Sequence, residues 1–242
     1  MTGPFLYVCA RPQREAANAE WASFRDGLGL DGADLIHHDL VREPLPTDLD
    51  RFAGVVVGGS PFNVTDPAKT DAQLRLERDL EALASVALEG RTRAMFTCFG
   101  IGVVTRLLGG VVTLDHPEDT GPAEITLTAD GRRDELFGIL APRFHALTAH
   151  KEGTAHVPPG ATLLASNPAC PVQAYRAGAA LWATQFHPEP TVDAFVARMA
   201  VYRAAGYFDA DAFDEVAAHV RTASVEQPAL LLRTFAAHAR AE

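Results

Sequence analysis

The chain has 242 residues, of which 48% are hydrophobic and 21% charged, with a formal charge of −10. That length fits one α/β domain with a filled core and leaves little room for a second catalytic domain. The negative charge opposes a polyanion partner, which needs concentrated Lys and Arg, and no apolar run is long enough to span a bilayer; the reading is no nucleic acid and no membrane.

Met1-Thr2-Gly3-Pro4 leads directly into an apolar run, without the succession of basic, apolar and small residues that marks a secretory leader, so a cytoplasmic location is expected. Residues 5–10 read as the first strand. In residues 16–28, Ala19, Trp21 or Ala22, Phe24 and Leu28 fall near helical spacing, and Gly29 offers a stop. Leu35-Ile36 marks a second strand, and Gly54-Val55-Val56-Val57 has the near-continuous apolar character of a strand covered on both faces. Residues 70–88 carry Leu74, Leu76, Leu80, Leu83 and Ala87 as an apolar stripe, with Arg75, Glu77, Arg78 and Glu81 as its solvated charges. They lead into the apolar run 94–97. Alternation of this kind signals a parallel sheet wound with crossover helices.

The second half is less regular. Strand-like runs fall at 123–128, 144–149, 162–165, 172–175 and 181–185, separated by turn signals such as Pro158-Pro159-Gly160. Helices are expected at 191–205, 209–222 and 228–240. Residues 1–206 form the main domain, and residues 207–242 a helical extension that either packs on it or serves as a dimer contact; a homo-oligomer is left open.

Cys9, Cys98 and Cys170 are an odd, scattered set, giving neither a disulfide framework nor a paired-cysteine zinc site, so no metal is expected. Cys98 stands between an expected strand and an expected helix, in Met95-Phe96-Thr97-Cys98-Phe99-Gly100-Ile101-Gly102. A sharp strand-to-helix turn projects one side chain above the sheet edge, and the helix N-terminus favours negative charge, which suits a thiolate nucleophile; alone, such a cysteine is equally a buried small hydrophobe. In His187-Pro188-Glu189, residues two apart in extended chain share a side, so Glu189 can accept a hydrogen bond from the His187 ring and leave its other nitrogen to act as base. A surface turn is the alternative. In Gly58-Gly59-Ser60-Pro61, Gly59 is the preferred backbone donor to an oxyanion, with the N–H of Phe99 as the second; found alone, a double glycine is a plain tight turn.

Together these segments make the chain resemble the class I, triad-type glutamine amidotransferases, especially stand-alone members similar to the amidotransferase domain of GMP synthase. The likeness runs in order over residues 5–206, through Gly58-Gly59-Ser60-Pro61, Cys98-Phe99-Gly100, Leu107-Leu108-Gly109-Gly110 and Gln185-Phe186-His187-Pro188-Glu189. It implies a doubly wound α/β fold with a mostly parallel central sheet and helices on both faces. It also implies glutamine or another γ-glutamyl compound as donor, a thioester at Cys98, no cofactor, and a separate synthase or acceptor subunit. Gly58, Ser60, Gly102, His150 and Gln173 become substrate-binding candidates, with Lys151 and Glu152 in the loop after His150. One departure bears on the donor: the family elbow commonly continues Cys-x-Gly-x-Gln, and Gly102 stands at the glutamine position. A γ-glutamyl peptidase or hydrolase, or a non-catalytic regulatory relative, is the competing reading.

Overall fold

The computed structural model describes residues 3–241, so Met1 and Thr2 of the N-terminal reading and Glu242 of the extension lie outside the described residues. The first half alternates as expected: β1 (Phe5–Cys9), α1 (Arg14–Leu28), β2 (Leu35–Asp39), β3 (Val55–Val57), α2 (Asp71–Leu88), β4 (Ala94–Thr97) and α3 (Phe99–Leu107). There follow β5 (Val112–Thr113), β6 (Glu118–Leu127), β7 (Arg143–His150), β8 (Gly153–Thr154), β9 (Ala161–Ser166), β10 (Ala174–Ala177) and β11 (Leu181–Thr184). Three helices close the chain: α4 (Val192–Val201), α5 (Phe213–Arg221) and α6 (Gln227–Arg240).

Nine strands form one sheet in the order β2-β1-β3-β4-β11-β10-β9-β6-β7. It is parallel from β2 through β11 and antiparallel beyond. The inner parallel strands β1, β3, β4 and β11 are buried along their whole length because helices cover both faces, whereas the edge strand β2 carries His37, His38 and Asp39. On one face, Phe24 and Leu28 of α1 meet Leu232 and Phe235 of α6 over Tyr7 and Trp182. On the other, Leu76, Leu80 and Leu83 of α2 and Ile101 and Val104 of α3 cover Val55, Val57 and Phe96. A smaller cluster packs Phe195, Val196 and Met199 of α4 and Val220 of α5 on Leu147 of β7. This is the doubly wound α/β architecture.

Local signals account for the helix ends. Thr70 and Thr191 cap α2 and α4 by accepting from the N–H groups of Gln73 and Ala194, each at 3.2 Å. Gly29 ends α1 at φ 68°, where its N–H returns to the last turn. The apolar stripe of α2 differs from its sequence reading in two places. Leu74 is exposed, whereas Glu77 is buried and pairs with Lys69 at 2.7 Å and Arg106 at 3.1 Å. A carboxylate goes inside when two cations meet it there, which a one-dimensional pattern does not contain. The helix expected over 191–205 stops at Val201, and the two-stranded pair β5-β8 carries no alternation long enough to have been read.

The carboxyl ends of the parallel strands converge on one edge. β1 delivers Arg11 there, β3 delivers Gly58-Gly59, β4 delivers Cys98 and β11 leads to His187. Open α/β sheets hold their ligands at such an edge.

Candidate active site

Cys98 is the one non-glycine residue with positive φ among the described residues, at φ 52° and ψ −102°. Such a conformation costs on the order of 1–3 kcal/mol and persists only where its surroundings impose it. Here three features do so. The Cys98 N–H donates to Thr184 O at 2.8 Å, the Thr97 hydroxyl donates to Val57 O at 2.9 Å, and α3 starts on the next residue. Gly100 lets that helix sit close, since a Cβ on it would lie 3.0 Å from Phe96 Cβ. The turn lifts the thiol off the sheet to the N-terminus of α3, where unpaired N–H groups favour negative charge.

His187 follows β11, anchored by its N–H to Leu147 O at 2.9 Å. Its Nδ1 lies 3.0 Å from Glu189 Oε1, so Glu189 fixes the ring and leaves the other nitrogen free for Cys98, which lines the same hollow. Burial by itself would lower the proton affinity of His187, but the Glu189 carboxylate and Cys98 override it and push the ring up to about 9. Burial would likewise raise Glu189, and the cations His187 and Arg198 instead hold it far below the ordinary carboxylate range.

Behind Cys98, His187 and Glu189 lies a charge network that the sequence reading missed. Arg198 Nη1 donates to Glu189 Oε1 at 2.7 Å and to Glu20 Oε1 at 2.9 Å. Glu20, fully buried on α1, also accepts from Arg11 at 2.7 Å and from the Tyr7 hydroxyl at 2.7 Å. Two carboxylates and two guanidiniums thus neutralise one another under the histidine, a buried arrangement tolerated only when each charge is paired. The available signal was a glutamate on the buried face of α1, beside Ala16, Ala17 and Phe24.

The glycine loop packs against the same network. A Cβ on Gly58 would come 2.1 Å from Glu20 Oε2, and one on Gly59 would come 2.8 Å from both His187 Cε1 and Arg11 Nη2. Glycine is required at both positions by close approach. The Gly59 N–H, expected to face an oxyanion, donates to Glu20 Oε1 at 3.2 Å in this state. Ser60 turns its hydroxyl to Ala10 O at 2.7 Å.

Two hollows meet at Cys98. Ser60, Phe99, Gly102, His150 and Glu152 line one of them together with Asn63 and Gln185. Gly58 and Gln173, carried over as donor contacts, line neither hollow. Gly58 backs onto Glu20, and Gln173 is fully buried with its amide donating to Glu118. Where the family pattern has glutamine, a Cβ on Gly102 would lie 3.2 Å from Val64 Cγ2 and 3.5 Å from Glu152 Oε1. Glu152 holds that segment in place by accepting from the N–H groups of Val64 and Thr65 at 2.8 and 2.9 Å. The second hollow is lined by Cys98, His187, Arg11 and Arg198 and capped by Tyr207 and Phe208, which come from beyond residue 206.

Two groups of metal-ligating types converge among the described residues: Glu118 with His150 and Cys170, and Glu20 with His187 and Glu189. In each, the donor atoms are already engaged. His150 Nε2 and Asn167 hold Glu118 at 2.7 and 2.6 Å, burial pushes the Cys170 thiol up to about 12, and arginines hold both carboxylates of the second group.

The sheet order and the helices on both of its faces define the fold of the class I glutamine amidotransferases. The solved glutamine amidotransferase of Thermotoga maritima superposes over 100% of both chains with a TM-score of 0.77 at 15% identity. In sequence, the chain is 29% identical to γ-glutamyl peptidase 3 of Arabidopsis thaliana over 150 residues, 60% of this chain and 58% of that protein. It is 30% identical to the glutamine-hydrolysing GMP synthase of Burkholderia mallei over 164 residues, 64% of this chain and 27% of the synthase. No family model matches the chain. The chain thus has the fold of solved glutamine amidotransferases and is similar in sequence to glutamine-hydrolysing GMP synthases, of whose length it spans about a quarter.

Proposed function

We propose that the protein is a cysteine-nucleophile amidohydrolase that cleaves the side-chain amide of glutamine, or of a γ-glutamyl relative, through a thioester at Cys98. The observation that carries this reading is the forced positive φ of Cys98 beside a His187 that Glu189 orients at 3.0 Å. Cys98 attacks as the thiolate, and a C–S bond forms as the carbonyl oxygen takes up charge. The N–H of Phe99 stabilises that oxyanion, joined by Gly59 when its N–H exchanges Glu20 for the stronger local charge. The proton held on His187 passes to the departing nitrogen, the C–N bond breaks, and water activated by His187 then releases the acyl group. Glu20, Arg11 and Arg198 hold the histidine and its carboxylate in register. The chemistry runs on the chain's own residues, in the cytoplasm, with ammonia passing to an acceptor on a separate synthase subunit.

The competing γ-glutamyl hydrolase reading is favoured by one observation, the Val64 and Glu152 atoms that fill the space of the missing glutamine side chain at Gly102. The test of the nucleophile is mass spectrometry of the intact protein after treatment with a glutamine-derived chloroketone. One adduct is expected on the wild type and none on Cys98→Ser. An unlabelled wild type, or an equal adduct on the variant, overturns the assignment.

A further inference from the structure

Cys98 is covered by a part of the chain that belongs neither to its elbow nor to the histidine turn. It is 8% exposed, and the hollows that meet at it give water about 40 Å³ on the side of His187 and about 10 Å³ on the side of Phe99. One water needs roughly 10–15 Å³ by this measure, so the larger hollow takes about three waters and the smaller about one. A glutamine fits neither. A donor therefore reaches the thiol only when part of the wall moves.

Ser60, Ala149 and Tyr207 border both hollows together with Cys98 itself. Ala149 lies within β7, and the Ser60 hydroxyl is tied to Ala10 O at 2.7 Å. Tyr207 is held differently. It lies between α4 and α5, and among the described residues no backbone hydrogen bond joins residues 203–208 to the sheet. Two side chains tie this segment down instead. Lys151, just past β7, donates from Nζ to Ala205 O at 2.8 Å and sits 4.8 Å over the Tyr207 ring. The Thr120 hydroxyl of β6 donates to Tyr207 O at 3.2 Å. Between these ties Gly206 takes φ 73°, a left-handed conformation that glycine adopts without strain.

The ends of the segment are anchored more firmly. The Tyr202 hydroxyl accepts from Arg11 at 3.2 Å and donates to Gln13 Oε1 at 3.0 Å, and the Phe208 ring packs on Phe213 at 6.0 Å. A stretch fixed at both ends and tied in its middle by a few side-chain contacts opens locally while the core stays folded.

We propose that residues 203–207 are a gate over Cys98, latched by Lys151, and that a donor enters when this latch releases and Tyr207 swings outward. The gate rests on the proposed function only in that Cys98 is the group a donor must reach.

The experiment follows, by peptide mass mapping, the rate at which iodoacetamide alkylates each cysteine in the wild type, Lys151→Met and Tyr207→Ala, with the glutamine-derived chloroketone run in parallel. Iodoacetamide needs only a reachable thiolate, so access is read without any glutamine chemistry. Removing the Lys151 cation can only disfavour a nearby thiolate, so a faster reaction in Lys151→Met reports access. Cys9 and Cys170 are fully buried and report opening of the whole molecule. Cys98 is expected to react about tenfold faster in Lys151→Met, the size expected for loss of a charged hydrogen bond, and at least as fast in Tyr207→Ala. Cys9 and Cys170 should stay as slow as in the wild type. A Cys98 rate unchanged in both variants overturns the gate, and so does acceleration that spreads to Cys9 and Cys170 in both. Faster alkylation of Cys98 alone, with no chloroketone adduct on any of the proteins, leaves the gate standing and overturns the glutamine-type donor.

Discussion

At the scale of single residues, the site depends on charges that would be costly to bury alone. His187 is the clearest case, because its ring titrates at about 9 in the folded chain against an ordinary 6.5. A group whose folded value is raised stabilises the fold fully below its unfolded value and loses that contribution as pH rises through the folded one. The His187 contribution is therefore complete below about pH 6.5 and is withdrawn up to about pH 9. Urea unfolding of the wild type should show stability declining across this window, and His187→Gln should lack that part of the slope. The same titration removes the proton destined for the leaving amine, so kcat/KM of the active enzyme should fall as pH passes about 9. An alkaline limb that is unchanged from pH 7 to 10 would contradict the assignment of that proton to His187.

At the scale of elements, α4 matters more than its length suggests, because it carries Arg198 to Glu189 and presents Phe195 and Met199 to the hollow that Cys98 and His187 line. Its start is set by the Thr191 hydroxyl on the N–H of Ala194. Removing a cap of this kind costs about 1 kcal/mol. Thr191→Ala should lower the unfolding free energy by about that amount in urea, and Thr191→Ser should restore most of it. No loss in the alanine variant would mean that tertiary packing, and not the cap, fixes where α4 begins.

At the scale of the whole molecule, the chain past residue 206 is structurally continuous with the sheet domain. Tyr207 and Phe208 cover the cleft, and α6 packs on α1, with Phe235 fully buried against Phe5 and Trp182, each ring pair at 6.3 Å. Truncating a buried phenylalanine to alanine costs about 3–5 kcal/mol. Phe235→Ala should lower the unfolding free energy by that amount and move the urea midpoint of the whole transition down accordingly, while leaving the chloroketone adduct on Cys98 intact in native buffer. A separate early transition for the C-terminal segment would show that it folds apart from the core. Among the described residues, no helix is long and apolar enough to cross a membrane.

Much of the fold was legible because its signals are local. The apolar run 54–57, the stripe of α2 and the glycine after α1 each depend on neighbours a few residues away, and so does the reach of Glu189 to His187 two positions earlier. The elbow was legible too, from a cysteine that stands between an expected strand and an expected helix. What the one-dimensional pattern could not contain is pairing at a distance. Glu20 and Arg198 are 178 positions apart and pair in the interior, with Arg11 and Glu189 completing the network. The Gly59 N–H faces Glu20 for the same reason, and Glu77 goes inside to meet Lys69 and Arg106. The local sequence therefore determined the strands, the helices and the turn that presents Cys98, through periodicity and turn geometry. Tertiary structure alone decided which charges neutralise one another beneath Cys98 and His187, because those pairs form between surfaces that meet only after the sheet has formed.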